Sequence, residues 1–286
     1  MCSSWYPSPR RLPSGTPPSP RVWRLGEVES CLDSARRLAD AGRLHPWDSV
    51  QVVAQRQGRG QLRRRWFSPP GNLYAALRLP LETPFNAPEG SVICGTLLAM
   101  ALCSLGWETR LKWPNDIVVT AGEDVRKLAG LLLEERGDCL LAGIGINILS
   151  CPGEEEMRRD AAMPATCLAR LIPEGGAAPT AESLWRRLVN RLFSAYSQER
   201  FFAARWREEA ERLLLWRHCN VIVDDGREQM RGRLAGLAQD GGLCLIRDGR
   251  ERILRGGSLR LDEARCAQQP GKNGQGRVSP ANETTK

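Results

Sequence analysis

Three short segments hold residue types that could do chemistry together. Residues 55–66 read Gln-Arg-Gln-Gly-Arg-Gly-Gln-Leu-Arg-Arg-Arg-Trp and run on through Phe67-Ser68-Pro69-Pro70-Gly71-Asn72-Leu73-Tyr74. Glycines on both sides of Arg59 let backbone N–H groups approach an anion while the guanidinium grips it in a fork. Neither a Walker run nor a Gly-x-Gly-x-x-Gly turn is present, so this is not one of the standard phosphate loops. On residue types alone, an anion-binding loop and a solvated basic or RNA-binding patch are equally good readings. The second segment, Lys112-Trp113-Pro114-Asn115-Asp116, ends a strand and then presents an amide and a carboxylate. A carboxylate beside phosphate-binding cations is a usual way to hold Mg²⁺, although an ordinary turn has the same composition. In the third, Lys127-Leu128-Ala129-Gly130-Leu131-Leu132-Leu133-Glu134, a lone cation opens an apolar strand and Gly130 leaves room against the backbone.

The two lysines gain weight from composition. Net charge is +8 and Lys+Arg total 41, but lysine stands only at 112, 127, 272 and 286. Arginine therefore serves wherever a solvated cation suffices, and Lys112 and Lys127 are either positions that call for a compact ammonium or lysines retained by chance. The ten cysteines include no Cys-x-x-Cys pair and there are two histidines, which argues against a structural zinc site and for a reducing, cytoplasmic setting. Hydrophobic content of 42% with 26% charged residues is that of a globular protein. The longest apolar run, Val92 to Leu105, is interrupted by Gly95 and Ser104. It falls short of the roughly 18–20 residues a membrane helix needs and reads as a buried helix. No secretory signal is visible in the Pro/Ser-rich start.

The positioning elements follow from periodicity. Glu29–Ala41 has helical apolar spacing, Ser49–Ala54 is a β-branched strand, and Asn72–Leu79 alternates as a half-buried strand. Thr109, Leu111 and Trp113 form a strand that stops at Pro114; Ile117–Thr120 and Lys127–Glu134 form a hairpin; Leu140–Ile148 is a further strand. Residues 181–215 read as two amphipathic helices. From Val221 the short runs VIVD, RGRLAGL, LCLIR and RILRG, separated by Asp-Gly and Gly-Gly, read as a small all-β barrel. The expected organisation is a disordered tail at 1–21, a catalytic domain at 22–215, a barrel at 216–262 and a polar disordered tail at 263–286.

Taken together, Gly58-Arg59-Gly60, Trp66-x-Ser68-Pro69-Pro70-Gly71-Asn72-Leu73-Tyr74, Lys112-Trp113-Pro114-Asn115-Asp116, Lys127-Leu128-Ala129-Gly130 and Gly143-Ile144-Gly145-Ile146-Asn147 resemble the biotin–protein ligase family, in order over residues 22–262. The resemblance implies an α+β fold, a mixed β-sheet with flanking helices (a class II synthetase-like catalytic domain) followed by a small SH3-like β-barrel. It also implies a ligase that uses ATP and Mg²⁺ to form biotinyl-5′-AMP and transfers biotin to a lysine of a biotin carboxyl carrier protein. Arg59, Lys127, Lys112 and Asp116 would be catalytic. Arg59 and Lys127 would meet the biotin carboxylate and the α-phosphate, Lys112 would add charge there, and Asp116 with Asn115 would carry the metal. Asp116 would also orient the acceptor lysine. Gln55 would bind the ureido head and Trp66 would wall the ligand, with Ser30, Cys31, Leu32, Gly58, Gly60, Gln61 and Gly130 completing the biotin site. Arg64 and Asn147 would contact the nucleotide, and a loop near 150–166 would cover the adenine.

Two departures stand out. The family's Ser-Thr-Asn contact is Ser30-Cys31-Leu32 here, and Gln61 replaces an arginine that helps close the loop over the adenylate, so weaker retention of the intermediate is expected. The short stretch before the catalytic segment leads to an expectation of no sequence-specific DNA binding. No membrane association is expected, while open sheet edges would permit a homodimer. The rival readings are a lipoate or octanoate ligase, a nucleic-acid-binding module and a catalytically weakened relative.

Overall fold

A computed structural model describes residues 20–61, 64–121, 124–153, 163–197 and 199–266. The first sheet has seven strands in the order β1-β2-β3-β7-β6-β5-β4. These are β1 (Val22–Val28), β2 (Ser49–Gln55), β3 (Leu73–Leu79), β4 (Thr109–Lys112), β5 (Asp116–Ala121), β6 (Asp124–Arg136) and β7 (Cys139–Ile146). Only β1 and β2 run parallel; the other neighbours are antiparallel, so the sheet is mixed. β1 is not announced by the sequence pattern, because its side chains are half-exposed and interleaved with charge. The expected strand at 72–79 differs in one respect: it is buried on both faces. Leu73, Ala75, Leu77 and Leu79 enter one core while Tyr74 and Ala76 enter the other, as the two-residue period of a strand requires.

Helices account for the two covered faces. α1 (Cys31–Asp40) packs on β2, β3 and β7. α2 (Gly90–Cys103) lies across β4, β5 and β6 and is itself covered by α3 (Ala181–Ser197) and α4 (Glu199–Leu213). α2 is buried around nearly its whole circumference, including Val92, Ile93, Leu97, Leu98 and Ala101, which is why its sequence is apolar without a polar face. No helix among the described residues is long and apolar enough to cross a membrane.

The second sheet is wholly antiparallel, in the order β11-β10-β9-β8-β12. It comprises β8 (Asn220–Asp224), β9 (Gln229–Leu237), β10 (Leu243–Arg247), β11 (Arg250–Leu254) and β12 (Ser258–Leu261), and it fits the expected SH3-like unit with one strand, β12, beyond the four anticipated. Both predicted tails are shorter than expected where the structure describes them. Arg21 donates its backbone N–H to Asp48 Oδ1 at 2.9 Å and accepts from Ser49 N. Glu263–Cys266 forms a helical turn, α5, beside β8. Residues 1–19 and 267–286, and most of the predicted adenine-covering loop (154–162), lie outside the described residues.

Asn72 ties β3 to the chain leaving β7. Its Oδ1 accepts from the backbone N–H groups of Ile148, Leu149 and Ser150 at 2.8, 2.9 and 3.2 Å, and its Nδ2 donates to Ser150 O. The residue is 1% exposed, so losing its oxygen strands donors that water cannot reach. Asn72→Ala is expected to lower unfolding free energy by about 2–3 kcal/mol, read from the denaturant midpoint; an unchanged midpoint contradicts this role.

Candidate active site

The antiparallel register of β6 and β7 sets Gly130 directly opposite Gly145, with Leu132 opposite Gly143. Directly opposed residues share a face, so a patch of bare backbone results. Two side chains exploit it. A Cβ added at Gly145 would lie 2.5 Å from Trp66 Nε1 and one at Gly130 would lie 3.0 Å from the same indole, while a Cβ at Gly143 would lie 2.9 Å from Leu32 Cδ1. Trp66 is delivered by a closed hairpin. Gly60 N donates to Arg64 O, Trp66 N donates to Gly58 O, and Arg59 pairs with Arg65 between them. Gly58 is obligatory in this hairpin because a Cβ there would meet Ser68 Oγ at 2.5 Å and Trp66 O at 2.6 Å.

Three charges gather beside this patch. The turn through Trp113-Pro114-Asn115 brings Lys112 of β4 opposite Asp116 of β5. A bulge at Ile117/Val118 lets Lys127 of β6 reach the same carboxylate. Lys127 Nζ lies 2.6 Å from Asp116 Oδ1, and Lys112 Nζ lies 3.9 Å from Oδ2. Lys127 also stands over the Trp66 ring, 5.0 Å from its centroid. Burial holds the Lys112 amine below the usual lysine range; Asp116 works against that shift, and Lys127 and Arg64 add to it. Segment 164–166 straps across Lys127, whose N–H donates to Pro164 O at 2.7 Å and whose carbonyl accepts from Thr166 N at 2.9 Å. Asn147 Nδ2 fastens the strap by donating to Thr166 O. Asn115 Nδ2 donates to Leu131 O at 2.6 Å, so its amide first of all holds the turn against β6.

A cavity of about 970 Å³ opens above this floor. Of the residues singled out from sequence, Gly60, Gln61, Arg64, Trp66, Lys112, Asn115, Asp116, Lys127, Gly130 and Asn147 line it. Ser30, Cys31, Leu32, Gln55, Gly58 and Arg59 do not. Gln55 is occupied at both ends: its Oε1 accepts from Cys31 N in the first turn of α1 at 2.8 Å, and its Nε2 donates to Ser68 Oγ at 3.1 Å. It caps a helix whose own N-cap, Ser30, makes no side-chain capping bond. Arg59 forms a two-point ion pair with Asp33, at 2.7 and 2.9 Å, and approaches Glu134. That hydrogen bonding pulls the Asp33 carboxyl below the usual carboxylate range. Among the described residues, Trp66 Nε1 and Ser91 Oγ of the cavity lining and Ser30 Oγ nearby are buried without a partner, and a buried orphan asks for an explanation such as a ligand.

Sequence reasoning did not find the far wall, which the barrel supplies through Asp240, Gly241, Arg255 and Gly257. Trp113 Nε1 donates to Gly241 O at 2.9 Å, locking the barrel to the turn that carries Asp116. A Cβ on Gly241 would sit 2.9 Å from Glu89 Cα. No local signal could have shown this, since the partners lie far apart along the chain. Among the described residues no group of three or more His, Cys, Asp or Glu side chains is placed to hold a metal alone.

A mixed sheet with a glycine-floored cleft beside a lysine–aspartate cluster, walled by a small antiparallel sheet, makes an α+β fold with a ligand-sized cavity. Residues 41–149 match the model of the biotin/lipoate A/B protein ligase family. Over 248 residues the chain is 30% identical to the bifunctional ligase/repressor BirA of Salmonella typhimurium, a match spanning 82% of this chain and 73% of that one. In fold it is similar to the biotin protein ligase of Aquifex aeolicus solved in complex with biotin and ATP, at TM-score 0.66 and 24% identity over 84% of this chain and 98% of that one. It is also similar to the biotin protein ligase of Leishmania major solved with biotinyl-5-AMP, at TM-score 0.57 and 26% identity over 84% and 99% of the two chains. The chain belongs to the biotin/lipoate A/B protein ligase family, among the biotin protein ligases.

Gly145→Ala tests the glycine floor. With its Cβ at 2.5–2.8 Å from the indole, Trp66 must move, at an expected cost of about 1–3 kcal/mol in unfolding free energy together with loss of ligand binding. Gly26→Ala, where nothing lies within 4 Å, serves as the control; equal effects in both variants would contradict the close-approach argument.

Proposed function

We propose that this chain is an ATP-dependent biotin–protein ligase acting in the cytoplasm on a biotin carboxyl carrier protein. The observation that carries the reading is the Lys112–Asp116–Lys127 cluster beside the Gly130/Gly145 floor beneath Trp66. In the first half-reaction a biotin carboxylate oxygen attacks the α-phosphorus of ATP, the bond to the β-phosphate bridge breaks, and pyrophosphate leaves. Two unit anions about 4 Å apart repel by roughly 4 kcal/mol at an effective dielectric of about 20, so fixed cations must await them. Lys127 and Lys112 converge on the Asp116 carboxylate, and Arg64 adds positive charge at the cavity wall. Because these groups are already in place, they act without reorganisation cost.

Lys127 would stand at the junction of carboxylate and α-phosphate, Lys112 would reinforce the phosphate end, and Arg59 would engage both anions on ligand entry. The apolar indole of Trp66 over bare backbone suits the largely apolar bicyclic ring system of biotin. Ser30 Oγ and Trp66 Nε1, buried without partners, are the polar atoms that fit its head group. Mg²⁺ would be held by the Asp116 carboxylate, with phosphate oxygens and water completing its shell, and would offset phosphate charge. In the second half-reaction the carrier lysine nitrogen attacks the acyl carbon, the C–O bond to AMP breaks, and Asp116 would orient that amine. The step needs positioning and exclusion of water more than a nucleophilic side chain.

Incubation with ATP, Mg²⁺ and either biotin or lipoate, following pyrophosphate release, tests the substrate. Release is expected with biotin alone, and Lys127→Ala is expected to lower it by at least about 100-fold, in line with the loss of one preorganised charge; full activity in that variant refutes the assigned role. Gln61 lines the cavity with no charge to offer, so biotinyl-AMP is expected to escape readily. Gln61→Arg should slow adenylate release, about tenfold for one added charge-assisted contact; an unchanged release rate would assign retention elsewhere.

A further inference from the structure

The hairpin from Gly58 to Trp66 presents Gly60, Gln61 and Arg64 to the cavity, yet Arg59 is held elsewhere. Its Nη1 donates to Asp33 Oδ2 at 2.7 Å and its Nη2 donates to Asp33 Oδ1 at 2.9 Å. The same Nη2 lies 3.3 and 3.4 Å from the two carboxylate oxygens of Glu134. Three elements therefore meet on one guanidinium: the loop, the first turn of α1 and strand β6. Neither Asp33 nor Glu134 lines the cavity. A carboxylate entering the cavity offers the same two-oxygen fork that Asp33 already offers, and one guanidinium edge grips one such fork at a time.

We propose that Asp33, supported by Glu134, is a positioning residue that competes with the substrate for Arg59. It parks the guanidinium against α1 while the cleft is empty and yields it when an anionic ligand enters. The inference rests on the reading of Arg59 as a ligand-binding cation given above. Apparent affinity is then reduced by the fraction of molecules in which Arg59 is parked. The same contact anchors the hairpin that carries Trp66, so departure of Arg59 toward the ligand is coupled to freedom of the loop. At 45% side-chain exposure for Asp33 and 34% for Arg59, the pair is accessible enough to open and close without disturbing the core.

Asp33→Asn removes the competing charge and keeps the shape. Calorimetric titration of the full chain with biotin and with a non-hydrolysable biotinyl-adenylate analogue is expected to show binding tightened roughly three- to tenfold. Glu134→Gln should give a smaller gain, and both variants should be cleaved faster by trypsin within residues 59–65. In an Arg59→Gln background, Asp33→Asn should give no gain, because the coupling runs through the arginine. Unchanged or weaker binding in Asp33→Asn, at an unchanged thermal midpoint, overturns the proposal and makes the pair a static strut; so does a gain that persists without Arg59. Failure of the unsubstituted chain to bind either ligand overturns the ligase reading and the proposal with it, whereas binding without a gain overturns the competition alone.

Discussion

The site depends on how closely the Trp66 indole approaches the backbone of β6 and β7. That approach is possible only because Gly130 and Gly145 lie opposite each other in register and carry no side chain. A one-residue slip between these strands would turn other residues to the floor and close it. With the floor open, the indole lies flat, Lys127 sits over its ring, and the same lysine reaches Asp116. Floor, wall and charge cluster are thus one arrangement, set by the pairing of two strands.

The surrounding structure serves that pairing. β3 is buried on both faces and pairs along the whole of β7, so β7 cannot shift. Asn72 fastens the chain just beyond β7, and Asn147 and the 164–166 strap hold Lys127 from the side. The β4–β5 turn that carries Asp116 is pinned on one side by Asn115 to Leu131 and on the other by Trp113 to the barrel. The barrel is therefore part of the cavity wall, and its buried residues Val221, Leu234 and Leu245 share one core cluster with the main sheet.

Charge is unevenly distributed around the cleft. Lys112 is buried and its amine is pushed down by that burial, while Asp116, opposite it in the β4–β5 pairing, works against the shift. Arg64 adds positive potential from the loop, while Arg59 is neutralised by Asp33 and Glu134 in the same loop. One loop thus carries an available cation and an engaged one, a distinction that sequence spacing does not contain.

Much of this protein was legible without coordinates. Apolar alternation gave β3 and the β5–β6 hairpin, a continuous apolar run gave α2, and short runs between Asp-Gly and Gly-Gly turns gave four of the five barrel strands. The scarcity of lysine singled out Lys112 and Lys127, which do converge on Asp116. Gly130 announced a close approach, though not what approaches, whereas the open backbone at Gly143 and Gly145 emerged only from the structure. Tertiary structure alone decided the rest. Strand β1, half-exposed, bears no clean period; the barrel wall is joined to Trp113 by a hydrogen bond across 128 positions; and Gln55 and Arg59 are engaged by Cys31 and Asp33 of α1. Local sequence encodes which groups can interact and which faces are apolar. Which partner a long polar side chain takes is settled by what the fold brings within about 3 Å of it.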